Sequence, residues 1–167
     1  NYKRGVGIAA GWYGCGNTSL PNPSTIKSGV LADGTVVLHQ GAMDIGQGAN
    51  TVITQIFATA LGVPVNSIRR MGADTDVTPD AGKTSASRQT YVSGNAARMS
   101  GEALRQTIVK KMNVASTADL KIGKGIILAT DSTGSHEYPL AGLETDDEGF
   151  VFRAKETYDP PTKPLDA

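Results

Sequence analysis

The sequence is poor in side chains that bind metals or form cross-links. It has one cysteine, Cys15, and two histidines, His39 and His136. One cysteine cannot form an internal disulfide, and these three residues lack the spacing of a zinc site. We therefore expect no metal ligands from the protein itself and a reducing, cytoplasmic location.

The sequence also lacks an excess of charge and a long apolar run. Sixteen basic residues balance sixteen acidic ones, so no net field attracts nucleic acid or an anionic membrane. No run approaches the roughly 18 apolar residues that span a bilayer. Neither nucleic acid nor a membrane is an expected partner. The sequences at both ends resemble the interior of a longer chain, and we expect residues 1–167 to be one segment of a longer polypeptide.

Two amphipathic segments predict helices at residues 50–61 and 87–112. In the first, Val52, Ile53, Ile56, Phe57 and Ala60 share one face, whereas Thr54, Gln55 and Thr59 are expected to face away. Asn50 or Thr51 is the expected cap of this helix. In the second helix, Gly94, Ala97 and Gly101 are small enough for close contact with another backbone.

Strand signals lie on both sides of these helices. Asp33-Gly34 between two apolar runs predicts a hairpin over residues 30–38. Residues 17–24 read as a loop, and the other predicted strands are residues 4–13, 65–71, 125–129 and 150–154. Strand pairs interleaved with two main helices predict an α+β fold, a mixed β-sheet layered with helices.

Two local motifs resemble nucleotide-binding sites, but the sequence around each does not match the known pattern. Residues 5–10 match G-x-G-x-x-A, but the dinucleotide fingerprint needs a strand before it and a helix after it. A close-packed strand explains these glycines better. Gly82-Lys83-Thr84 resembles the end of a P-loop, although Val77 stands where the first glycine belongs. A P-loop-like nucleotide hydrolase therefore remains an alternative.

No side chain receives a catalytic role. His39 and His136 have no serine or cysteine elbow nearby and are expected to be structural. Glu102 reads as a solvated charge on the second helix.

Two turns, each running into a helix, carry the strongest functional signal. Gly46-Gln47-Gly48 follows a predicted strand, and its glycines let main-chain N–H groups approach a ligand. The second turn, before the long helix, contains Lys83 and Arg88. Each helix start contributes about 0.3–1 kcal/mol toward an anion. The pair suits a flat anionic ligand, although an ordinary glycine turn explains the first turn equally well.

The order of motifs closely resembles a known family. Residues 41–51, 61–64, 72–80, 84–88 and 93–96, with the tails at 157–159 and 164–166, resemble the molybdenum-cofactor subunit of the xanthine oxidase family, the molybdenum hydroxylases. The bacterial aldehyde oxidoreductases are the most similar type.

This resemblance implies a molybdenum–molybdopterin cofactor, in its cytosine dinucleotide form, whose metal is held by the pterin. The pterin would lie against Gly46, Gln47 and Gly48. The pyrophosphate and nucleotide would lie against Lys83, Thr84, Ser85, Ala86, Ser87, Arg88 and Gln89. The main chain at Ala86 would approach the metal.

The implied activity is oxidation of a small aldehyde or N-heterocycle with oxygen from water. The family's base lies in a Gly-x-Gly-Glu segment, which this sequence lacks, so we expect the catalytic glutamate outside residues 1–167 and no turnover by this segment alone. The expected partners are the rest of the molybdenum subunit and 2Fe–2S clusters, with or without FAD, on other domains or subunits. A non-catalytic pterin- or phosphate-binding module is the other alternative.

Overall fold

A computed structural model describes residues 2–163 as two β-sheets and two long helices. The strands are β1 (Ser24–Leu31), β2 (Val36–Gln40), β3 (Ile68–Met71), β4 (Asp119–Gly123), β5 (Ile126–Asp131), β6 (Gly134–Pro139) and β7 (Phe150–Tyr158). The helices are α1 (Ala49–Leu61) and α2 (Gln89–Met112). The tail motif at residues 164–166 lies outside the described residues.

The larger sheet is mixed, with the strand order β3-β2-β1-β7. Strand β1 is antiparallel to both β2 and β7, while β2 and β3 run parallel. The predicted α+β fold with a mixed sheet is therefore confirmed. A second sheet, the antiparallel meander β4-β5-β6, was not predicted from the sequence.

Helix α2 lies against β1 and β7, and α1 packs on α2. Buried serine pairs tie α2 to β1: the Ser24 and Ser93 hydroxyls are 2.7 Å apart, and those of Ser28 and Ser100 are 2.8 Å apart. Each hydroxyl thereby gains a hydrogen-bond partner away from water, which removes the cost of burying it.

The two helices approach closely, as their small residues predicted. A Cβ built on Gly101 would lie 2.8 Å from the carbonyl oxygen of Phe57 on α1. Phe57 is fully buried in the core between the helices. Thr54, however, is buried rather than facing away, and its hydroxyl is satisfied within the helix by donating to the Asn50 carbonyl at 2.7 Å.

The turns of the two sheets lock together. Gly34, with a φ of 83°, lies so close to the β4–β5 turn that a Cβ there would be 2.7 Å from the Gly123 backbone. The Gly125 N–H donates to the Asp33 carbonyl at 2.7 Å. Glycine at position 34 is thus required both by its φ and by this contact.

Three predicted elements differ in the structure. Residues 4–13 form no strand among residues 2–163, because no described strand pairs with them. Val65–Ser67 is a 3-10 helix, so only the end of the predicted strand at 65–71 is strand. The predicted loop at residues 17–24 ends one residue early, where β1 begins, and His136 lies in β6, a strand that was not predicted.

Within residues 2–163, neither helix combines the length and the apolar character that crossing a membrane requires.

Candidate functional site

The first turn, residues 44–48, is organised by one carboxylate. Asp44 Oδ1 accepts the N–H groups of Gly46 (2.9 Å) and Gly48 (3.2 Å), and Oδ2 accepts that of Asn50 (3.0 Å). The N-cap is Gly48, whose φ of 82° suits glycine, and no side chain of Asn50 or Thr51 caps the helix. The predicted cap is therefore wrong, because Asp44 reaches the N–H groups from further back in the chain.

The hydrogen bonds that the Asp44 carboxylate accepts predict that the first turn loses stability in acid. The N–H of Asn50, followed by that of Gly46, lowers the pKa of Asp44 below its ordinary value of 3.8. A lowered pKa contributes stability that is complete above pH 3.8 and is lost as the pH falls through the folded-state value. Asp44→Asn should therefore melt below the wild type at neutral pH, and the difference should narrow below pH 3.8.

Melting temperatures measured from pH 7 to pH 2 check this expectation. Asp147→Asn is the control. The Asp147 side chain is 89% exposed, so this substitution should leave the dependence of melting temperature on pH unchanged. A difference between wild type and Asp44→Asn that stayed constant across this range would contradict the role of the charge.

Gln47 closes the first turn with its own amide. Its Oε1 accepts the Ile45 N–H at 2.6 Å, and its Nε2 donates to the Met43 carbonyl at 3.2 Å. The same carbonyl accepts the Thr84 hydroxyl at 2.7 Å, which joins the first turn to the second. The exposed Gln47 amide keeps further donor and acceptor capacity.

The second turn is organised by Arg88, which is fully buried. Its guanidinium donates to four carbonyls: Ala81 (2.6 Å), Lys83 (2.8 Å), Asn22 (3.0 Å) and Pro23 (2.9 Å). Burial lowers the pKa of Arg88, while Asp80 raises it. The guanidinium thus holds the turn in shape and directs its donors at the protein, where the sequence had suggested a cation directed at a ligand.

Gln89 supports the same turn from the first residue of α2. Its Nε2 donates to the Lys83 carbonyl at 3.2 Å and the Thr84 hydroxyl at 3.3 Å, and its Oε1 accepts the Ser93 hydroxyl. The predicted site residues Arg88 and Gln89 are therefore both buried beneath the turn. Their side chains fix its main chain.

The top of the turn has an unusual backbone. Ala86 and Ser87 have φ values of 51° and 54°, a left-handed region that costs non-glycine residues about 1–2 kcal/mol each. The segment before β1 supports this conformation: the Gly16 N–H donates to the Ala86 carbonyl at 2.6 Å, and the Ala86 N–H donates to the Tyr13 hydroxyl at 3.3 Å. In the part of the chain that the structure describes, no side chain caps α2, so the N–H groups of its first turn are open to a ligand.

The two turns meet in one open pocket of about 440 Å³. Its lining comprises Tyr13, Ile45, Gln47, Thr84, Ser85, Ala86, Ser87, Arg88, Gln89 and Thr90. Of the predicted site residues, Gly46, Gly48 and Lys83 lie outside this lining. A Cβ at Gly46 or Gly48 would meet no protein atom within 4 Å, so only the positive φ restricts these positions.

Three lining residues were missed from the sequence. Thr90 carried a signal, because it stands in the first turn of a predicted helix. Tyr13 had been placed in a strand, and it reaches Ala86 across 73 residues of sequence, which no local pattern reveals. Ile45 lies beside the glycine turn.

The other polar residues considered from the sequence, such as His39 and Glu102, have structural roles. Among residues 2–163, no three histidine, cysteine, aspartate or glutamate side chains are grouped to hold a metal ion. His39 donates from Nδ1 to the Val77 carbonyl at 3.1 Å, and burial, followed by the charge of Lys27, lowers its pKa. Glu102 pairs with Arg98 on the exposed face of α2 at 2.7 Å.

Comparison with known proteins gives a consistent set of matches. A family model described as "Molybdopterin cofactor-binding domain" matches residues 1–163. The xanthine dehydrogenase molybdenum-binding subunit of Escherichia coli O157:H7 is 37% identical over 150 residues, which are 86% of this chain and 19% of that protein. The aldehyde oxidoreductase of Megalodesulfovibrio gigas is 36% identical over 112 residues, which are 65% of this chain and 12% of that protein.

A solved structure has a similar fold. The crystal structure of the aldehyde oxidoreductase from Desulfovibrio desulfuricans matches with a TM-score of 0.62 at 25% identity and covers 92% of this chain and 15% of that one. The chain therefore spans only about a fifth, or less, of the length of these relatives.

Proposed function

Because this chain belongs to the molybdopterin cofactor-binding domain family, we propose that its pocket holds the pterin and phosphate parts of a molybdopterin cofactor within a longer oxidoreductase. Membership confirms the resemblance to the xanthine oxidase family. The observation that carries the proposal is the meeting of the two predicted turns, around Gln47 and Ala86, in a single pocket.

The chemistry of the pocket fits such a group. The lining offers four serine and threonine hydroxyl groups, from Thr84, Ser85, Ser87 and Thr90, next to the uncapped start of α2. It contains no acidic side chain, so nothing among the lining residues repels a phosphate. Helix-start N–H groups and hydroxyls are the donors that bind phosphate oxygens in proteins.

The two sides of the pocket suggest separate tasks. On the α2 side, the N–H groups and hydroxyls would bind the pyrophosphate, with Lys83 at the pocket margin adding its charge. On the other side, the Gln47 amide would donate to and accept from the edge of the pterin, since an amide offers both groups. Gly46 and Gly48 would let the ring system lie directly on the main chain.

The reaction belongs to the whole protein. When bound, the cofactor would supply the redox chemistry that oxidises a small aldehyde or N-heterocycle with oxygen from water. Residues 1–167 would bind and orient it, while the base glutamate, the 2Fe–2S clusters and any FAD would lie on other segments or subunits. We propose the cytosine dinucleotide form, for which release of cytidine monophosphate on acid hydrolysis of the cofactor is the test.

Gln47 provides the sharpest test of the pocket. In the complete protein, Gln47→Ala should weaken cofactor retention about tenfold, as expected for a loss of roughly 1.4 kcal/mol in hydrogen bonding. Molybdenum content after dialysis measures this loss. Gln55→Ala, at an exposed position on α1, is the matched control and should keep its molybdenum.

Gln47→Glu tests the charge of the ligand. Glutamate keeps the oxygen that accepts the Ile45 N–H, loses the donor to the Met43 carbonyl, and places a negative charge toward an anionic ligand. It should lose at least as much molybdenum as the alanine variant. Full molybdenum content in both variants would refute the assigned role.

Neither alternative from the sequence is favoured by an observation. A P-loop places its lysine at the start of the helix that follows it, whereas Lys83 lies six residues before α2 begins at Gln89. A non-catalytic pterin- or phosphate-binding module would leave the complete, properly matured protein without stoichiometric molybdenum.

A further inference from the structure

The N-terminal segment, residues 4–12, has the sequence of a strand with two unlike faces. Large or apolar side chains alternate with very small ones, the period that places them on opposite faces of an extended chain. One face carries Val6, Ile8, Ala10 and Trp12. The opposite face carries Gly5, Gly7, Ala9 and Gly11.

The structure leaves this segment exposed. Within the described part of the chain, residues 4–12 belong to no helix, strand or turn. Val6, Ile8 and Trp12 are 97%, 98% and 97% exposed. Contiguous apolar side chains held in water mark a surface that a partner covers.

We propose that residues 4–12 form a β-strand that pairs with an exposed sheet edge in the remaining part of the same polypeptide and buries Val6, Ile8 and Trp12 there. The glycine face lets another layer approach the backbone closely, and the other face fills an apolar core. The inference rests on the proposal that residues 1–167 are part of a longer polypeptide.

The root of the segment is fixed beside the other end of the described chain. Gly16 is bonded to Ala86 and to the Asn22 side chain, whose Nδ2 donates to the Gly16 carbonyl at 2.8 Å. The Lys163 N–H donates to the Thr18 carbonyl at 2.8 Å. Lys163 therefore lies next to the point where the segment leaves the fold, so a polypeptide that continues past it would start within reach of the segment.

The edges of the mixed sheet are poor partners for a second copy. Its two edge strands are β7, which exposes Arg153 and Lys155, and β3, which exposes Arg69 and Arg70, and charged side chains on an edge strand oppose pairing. The segment itself adds Arg4 and has no acidic residue to complement them. Pairing within the same polypeptide is therefore favoured over pairing between copies.

The proposed strand leads directly into the cofactor pocket. Tyr13 follows Trp12, lines the pocket and accepts the Ala86 N–H. Docking of the strand would hold Tyr13 over the turn, so the partner sheet would act as the outer support of the pocket.

Hydrogen–deuterium exchange at single-residue resolution on the complete protein tests the proposal. Alternate amides of residues 5–11 should exchange at least about 100-fold more slowly than in an unstructured chain, because a strand bonds every second N–H to one neighbour. Ile8→Asp should raise these rates at least about tenfold, because it places a charge in the apolar face. Lys3→Asp, ahead of the strand, is the matched control and should leave them unchanged.

The outcomes separate this inference from the cofactor proposal, since molybdenum content is read on the same samples. Unprotected amides in a molybdenum-loaded protein would overturn the strand and leave the cofactor site intact. Protected amides in a protein that holds no molybdenum would support the strand and overturn the cofactor site. A third outcome is that the amide protection disappears on dilution and that light scattering shows a dimer which Ile8→Asp dissociates. This outcome would show that the strand pairs with a second copy and would overturn the proposed partner.

Discussion

Replacing Arg88 by methionine is expected to lower the free energy of unfolding by about 3–5 kcal/mol and to abolish cofactor retention. Methionine fills much of the same volume but donates no hydrogen bond. The carbonyls of Ala81 and Asn22 would lose their donor in a buried place, and those of Lys83 and Pro23 in a partly buried one. The turn that carries Ala86 would then lose the contacts that fix its shape.

Arg98→Met is the matched control. Arg98 is half exposed and, among residues 2–163, forms an ion pair only with Glu102 on the same helix, an arrangement that contributes about 0.3–0.5 kcal/mol. Thermal unfolding and molybdenum content of the complete protein measure both variants. Arg88→Lys, which keeps some of the donors, should fall between wild type and Arg88→Met. Equal stability of Arg88→Met and Arg98→Met would show that the buried bonds do not hold the turn.

Gly101→Leu is expected to destabilise the fold by about 3 kcal/mol through overpacking, after allowing for the better helix propensity of leucine. The first added carbon already lies 2.8 Å from both the Phe57 carbonyl and the Ala60 Cβ. Backbone atoms cannot move aside as a flexible side chain can, so the two helices must separate. Since each helix carries one side of the pocket at its start, this separation also weakens cofactor binding.

Gln106→Leu provides the control for this change. It introduces the same side chain at an exposed position of α2, where no packing is disturbed. Its effect should stay within about 0.5 kcal/mol. A melting temperature of Gly101→Leu no lower than that of Gln106→Leu would mean that the helices can accommodate the added volume.

The sequence predicted the elements whose signal is local. Apolar spacing located both helices, Asp33-Gly34 located the β1–β2 turn, and the small residues of α2 anticipated the contact with Phe57. Strand β6 escaped prediction because most of its residues are polar and solvent-facing, so it has no apolar alternation.

The candidate site was predictable only in part, for a similar reason. The two turns were identified because glycines and hydroxyls precede each helix. That Asp44 caps α1 and that Tyr13 supports Ala86 depends on how segments meet in space. Arg88 was expected to offer its charge to a ligand, and its burial under four carbonyls follows from tertiary packing that no sequence spacing records.

The four bonds of Arg88 have a consequence for how a ligand is received. They connect the residues before β1, the loop before α2 and the start of α2 into one unit, so the turn has little freedom left to lose. The entropy cost of ordering this turn is incurred when the chain folds, so it does not weaken the later binding of a ligand. The receptor surface is accordingly preorganised, and affinity there reflects complementarity more than induced fit.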